Sequence, residues 1–75
     1  MIFMENKQYF VYRGYRGSEP IAIYHSMDQV IALVHNTAAE RNFGFYRSWT
    51  MDGIDFYDCG NIVYKVVEKD LQENA

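Results

Sequence analysis

Between Ser26 and Arg41 the apolar residues recur at helical spacing. At 100° per residue Met27, Val30, Ile31, Val34 and Ala38 fall within one stripe and Leu33 widens it, while Asp28, Gln29, Asn36 and Glu40 fall opposite. No other segment has a period that supports a long helix. Ser26 followed by Gln29 is a capping-box pattern, in which the hydroxyl accepts the Gln29 amide proton and the glutamine reaches back to the Ser26 N–H. Asp28 in the first turn and Arg41 in the last suit the helix dipole. Asn42 and Gly44 tolerate positive φ at the exit. His35, on the flank of the stripe, reads as a boundary residue.

The flanking chain alternates at period two. Gln8 to Arg13 places Tyr9 and Val11 on one side and Phe10 and Tyr12 on the other, so both faces ask for cover. Gly14 to Glu19 is a turn, and Pro20 opens a short strand to Tyr24 where its missing N–H does least harm. Phe43 to Thr50 alternates Phe43, Phe45, Arg47 and Trp49 against Gly44, Tyr46, Ser48 and Thr50, and the arginine within the apolar series means either that the strand bends, as a bulge near Arg47 would make it, or that its distal half leaves the core. Asp52-Gly53 is the strongest local signal, a two-residue hairpin turn with positive φ at both centres. Ile54 to Tyr57 returns with Ile54 and Phe56 inward and Asp55 and Tyr57 outward. After a turn at 58–61, Ile62 to Val67 sets Ile62, Tyr64 and Val66 against Val63, Lys65 and Val67. Met1 to Asn6 extends the first strand or lies beside it, and the polar segment from Glu68 is expected to fray.

The order is strand, strand, helix, then three strands. It predicts a single α+β domain over residues 1–75, a two-layer sandwich with a mainly antiparallel sheet of about five strands and one helix on one face. A chain of 75 residues buries only roughly 60% of its unfolded surface, and one cysteine, Cys59, excludes an internal disulfide framework. Burial beyond the monomer is then expected from a second chain. The net charge of -3 argues against broad attraction to nucleic acid or an anionic bilayer. No apolar run approaches the ~20 residues that span a membrane, and the amino end lacks a basic segment followed by a sustained apolar one, so a cytoplasmic location is expected.

Seven tyrosines, five phenylalanines and one tryptophan are many for this length. One helix covers one side of a sheet, so the reverse is expected to carry some of Phe10, Tyr12, Tyr24, Tyr46, Tyr57 and Val63 or Val67. Catalytic and metal-binding sets are not evident. His25, His35 and Cys59 are widely spaced and lack ligand pairing, and Cys59 has no neighbouring cation to hold a thiolate. Asp52, Asp55 and Asp58 lie three apart in a hairpin without a calcium-loop pattern and form at most an acidic rim. Gly14 and Gly17 flank Tyr15 and Arg16 but lead to a strand, unlike a phosphate loop.

The expectation is a non-enzymatic protein-binding module, an inhibitor or regulator of a larger protein, without cofactor, metal or small-molecule substrate, and homodimeric. Its contact residues are expected among Tyr12, Arg13, Tyr15, Arg16, Tyr24, Tyr46, Arg47, Trp49 and Tyr57, because arginine, tyrosine and tryptophan dominate binding hot spots. In size, acidity and strand-helix-strand plan the chain resembles, in general character, the small accessory proteins with which bacterial viruses bind host enzymes. No motif assigns it to a family. The alternatives are a nucleic-acid surface built on Arg13, Arg16 and Trp49, and a small enzyme or metal protein around His25, His35 and Cys59.

Overall fold

The computed structural model describes residues 7–70, so expectations for Met1 to Asn6 and for 71–75 lie outside the described residues. The elements are β1 (Lys7–Arg13), β2 (Ala22–Tyr24), α1 (Met27–Arg41), β3 (Arg47–Met51), β4 (Ile54–Asp58) and β5 (Val63–Asp70). One helix packs on one face of a five-stranded antiparallel sheet, the α+β sandwich the patterning predicts. The strand order is β2-β1-β5-β4-β3, which puts β2 and β3 at opposite edges. Since α1 joins those two strands, it must cross the whole sheet. Its 15 residues rise about 22 Å, and four strand spacings cover about 19 Å. β2 ends level with Tyr9 while β3 begins level with Val63, at the other end of the strands, so the path is diagonal and residues 42–46 complete it.

Ser26 is the N-cap, its Oγ accepting from the Gln29 N–H at 3.4 Å. The reciprocal bond differs from the expected one: Gln29 Oε1 accepts from the His25 N–H at 2.9 Å instead of from Ser26. The side chain thus reaches one residue further and fixes the approach from β2. At the far end the Asn42 and Gly44 amides both donate to the Ala38 carbonyl, with φ of 55° at Phe43 and 88° at Gly44. That turn uses up residues expected in a strand, so β3 begins only at Arg47. No bulge occurs there, because Arg47 pairs in register with Asp58 at the start of the strand.

Val30, Val34, Thr37 and Ala38 of α1 are buried against Val11, Tyr57, Tyr64, Val66, Cys59 and Ile62. The predicted inward face of β4 is therefore reversed. Tyr57 pairs with Tyr64 and shares its helix-facing side, while Ile54 and Phe56 point to the reverse. The expected fray also fails between Glu68 and Asp70, which pair with Tyr9, Gln8 and Lys7. Side-chain contacts on this extension include a Lys7–Glu68 ion pair at 2.9 Å and the Lys69 amine 4.5 Å from the centre of the Phe10 ring.

Inside the core the Thr37 and Tyr64 hydroxyls bond at 2.9 Å, satisfying two polar groups that burial would otherwise strand. Thr37→Val leaves the Tyr64 hydroxyl without a partner and should destabilise by about 1–3 kcal/mol. The double variant Thr37→Val/Tyr64→Phe should recover much of that loss, read by urea unfolding at neutral pH.

Candidate interaction surface

The face of the sheet away from α1 is built by alternation. Registers set Tyr12 beside Lys65, Lys65 beside Phe56 and Phe56 beside Trp49, one row across four strands. The next row runs Ile23, Phe10 and Val67 by direct pairing. Continuing the β4–β5 register by one residue brings Ile54 level with Val67, and Met51 pairs with Ile54. Five apolar side chains, one per strand, thus form a continuous stripe. Ile23 is 46% and Met51 54% exposed, and Phe10, Val67 and Ile54 are half-buried.

The first row is different because the chain covers it. The turn after β1 folds back over this face, setting the Tyr15 ring 5.7 Å from Phe56 and 6.4 Å from Trp49, whose own rings stack at 5.7 Å and 18°. Phe56 is buried as a result, on the side opposite the helix. Lys65 ties the turn down, its Nζ donating to the Gly17 carbonyl at 3.2 Å while lying 4.6 Å above the centre of the Tyr12 ring. Gly17 is required here, since a Cβ would stand 2.7 Å from the Arg13 carbonyl oxygen.

The expected contact residues therefore divide. Tyr12, Tyr15, Arg47 and Trp49 belong to the reverse face or the turn over it. Arg13 ends β1 and Arg16 lies in the turn, both exposed. Tyr24 and Tyr46 are on the helix side, Tyr24 packed against the core and Tyr46 bonded through its hydroxyl to His35 Nε2 at 3.3 Å. Tyr57 is only 7% exposed and is lost as a direct contact, because its ring fills the space under α1. The expectation that Tyr24, Tyr46 and Tyr57 lie on the reverse is corrected in the same way. Ile23, Ile54 and Met51 were missed. Their signal was the apolar parity of β2 and the β4 hairpin, which yields a stripe only once strand order is known.

The candidate chemical groups stay apart. Asp55 accepts from Thr50 Oγ1 at 2.6 Å on one face, while Asp58 pairs with Arg47 at 3.1 Å on the other and accepts from the Gly60 N–H. His35 faces Tyr46, His25 is exposed, and Cys59 is buried with its thiol toward the Val34 carbonyl at 3.7 Å. Among the described residues no three His, Cys, Asp or Glu side chains gather where a metal could sit. A shallow hollow of about 450 Å³ lies between Asn42, Phe45, Tyr46, Arg47, Asp58 and Gly60, but Asn42, Arg47 and Asp58 already bond to one another's neighbours or to each other across it. Among the described residues no helix is long and apolar enough to cross a membrane. Comparison with protein-family models, curated proteins and solved structures returned no match.

Burial, followed by the nearby Asp58 charge, raises the Cys59 thiol above its usual 9.0. Burial, then Asp55 and Tyr46, raises Tyr57 in the same direction. Groups whose folded pKa is raised stabilise the protein below their unfolded values, and that contribution is lost as pH climbs toward the folded ones. Stability should thus decline above about pH 9. Urea titrations from pH 7 to 10.5 check this, and Cys59→Ala should flatten the first part of the decline.

Proposed function

We propose that this chain is a small non-catalytic protein-binding module, an inhibitor or regulator that works by covering a surface of a larger protein. The observation that carries the reading is the apolar stripe of Ile23, Phe10, Val67, Ile54 and Met51. Contiguous apolar surface rimmed by polar groups favours association, since covering it removes apolar area from water. Lys65, Lys69 and the Arg47–Asp58 pair supply such a rim on the same face. A buried, unpaired Cys59 suits work in a reducing compartment such as a cytoplasm.

The nucleic-acid alternative asks for open ring faces beside free guanidinium groups. Instead, Trp49 stacks on Phe56 beneath Tyr15, and Arg13, level with Tyr64, falls on the helix side of the sheet, away from Trp49. The protein reading is the better supported of the two.

A photo-reactive residue at position 23 should cross-link a discrete protein partner in the producing cells, whereas the same residue at Glu40, on the wet side of α1, should not. Ile23→Lys/Val67→Lys should reduce recovery of that partner at least about tenfold, as expected when charge enters an apolar contact. Equal adducts at both positions, or recovery unchanged in the double variant, would contradict the proposal.

A further inference from the structure

The two edges of the sheet are finished differently. β2 is three residues long and follows Pro20, so it offers little for another strand to pair with. β3 has five residues, Arg47-Ser48-Trp49-Thr50-Met51, with no proline, no lysine and an unbroken register to β4. Its turn has φ of 56° at Asp52 and 78° at Gly53, a two-residue type I′ hairpin. In that hairpin the flanking pair, Met51 and Ile54, is hydrogen-bonded. By alternation Trp49 and Arg47 also bond inward to β4, which turns the N–H and C=O groups of Ser48 and Thr50 to the open edge.

We infer that this edge pairs antiparallel with β3 of a second copy, about a two-fold axis at Trp49, to join two sheets into one of ten strands. The strand is self-complementary in that register. Ser48 of each copy meets Thr50 of the other, giving four backbone hydrogen bonds, and these short hydroxyl side chains leave room on the helix side. The two Trp49 residues form the central non-hydrogen-bonded pair, where side chains approach most closely. Their rings extend the Tyr15–Phe56–Trp49 cluster across the axis on the reverse face. Arg47 falls opposite Met51, which is 54% exposed in the monomer, so no like charges oppose one another. A segment from an unrelated protein would need to supply this match; the second copy has it built in. The inference uses the edge of the sheet and shares only Met51 with the stripe.

Sedimentation equilibrium across a wide concentration range should show reversible association between one and two chain masses. Thr50→Pro removes an outward N–H and spares the backbone ladder to β4, though it also removes the Thr50–Asp55 side-chain bond; by symmetry each dimer loses two backbone hydrogen bonds, and association should weaken at least about tenfold. Mixing Ser48→Cys with Thr50→Cys should give a disulfide-linked heterodimer under mild oxidation, because hydrogen-bonded partners sit about 5.5 Å apart at Cα. Neither variant alone should link efficiently. This register test decides the matter if Thr50→Pro disturbs the fold. Ile23→Lys/Val67→Lys should dimerise normally, so a failed stripe and a failed edge give different results. A monomer at every concentration, or a dimer in which the Ser48→Cys and Thr50→Cys variants do not link, would overturn the inference.

Discussion

A single helix has to carry the chain from one edge of the sheet to the other, and most of the architecture follows from that crossing. Because β2 and β3 occupy opposite edges, α1 lies over the strands between them and packs Val30, Val34 and Ala38 onto Val11, Tyr64 and Val66. Cap and exit are correspondingly definite, with Ser26 and Gln29 fixing the start and the two amides on the Ala38 carbonyl fixing the end.

The crossing also decides what is left uncovered. All the helix's burial is spent on one face, and the reverse must find cover elsewhere. The turn after β1 supplies part of it, laying Tyr15 over Phe56 and Trp49 and anchoring through Lys65 to the Gly17 carbonyl. This shields the row through Phe56, whereas the neighbouring row from Ile23 to Met51 stays partly exposed, with the Lys69 amine over Phe10. Aromatic residues thus serve two purposes here. Phe56 and Trp49 belong to a small second core within the monomer, while Phe10 lies in the apolar stripe beside them that carries the case for a partner.

The fold was legible because its signals were local. The helical period, the Ser26 cap, the Asp52-Gly53 turn and the period-two runs each act within a few residues, and all point to one helix on five strands. The errors arose where a distant partner decided the outcome. Tyr57 looked like an outward residue until pairing with Tyr64 placed it under the helix, and Glu68 to Asp70 looked loose until β1 proved to be their neighbour. The surface was only partly legible for the same reason. Composition announced unspent aromatic area, yet the stripe depends on registers among five strands, and the self-matching edge depends on which strand is outermost.

Native-state hydrogen exchange, followed residue by residue at low protein concentration, tests the central claim most directly. If the edge-to-edge helix closes the core, amides of Val34 and Ala38 should exchange as slowly as those of Val11 and Val66, all opening only with global unfolding. Helix amides that exchange orders of magnitude faster than those two strands would contradict the account, because the sheet would then persist without the element said to hold it.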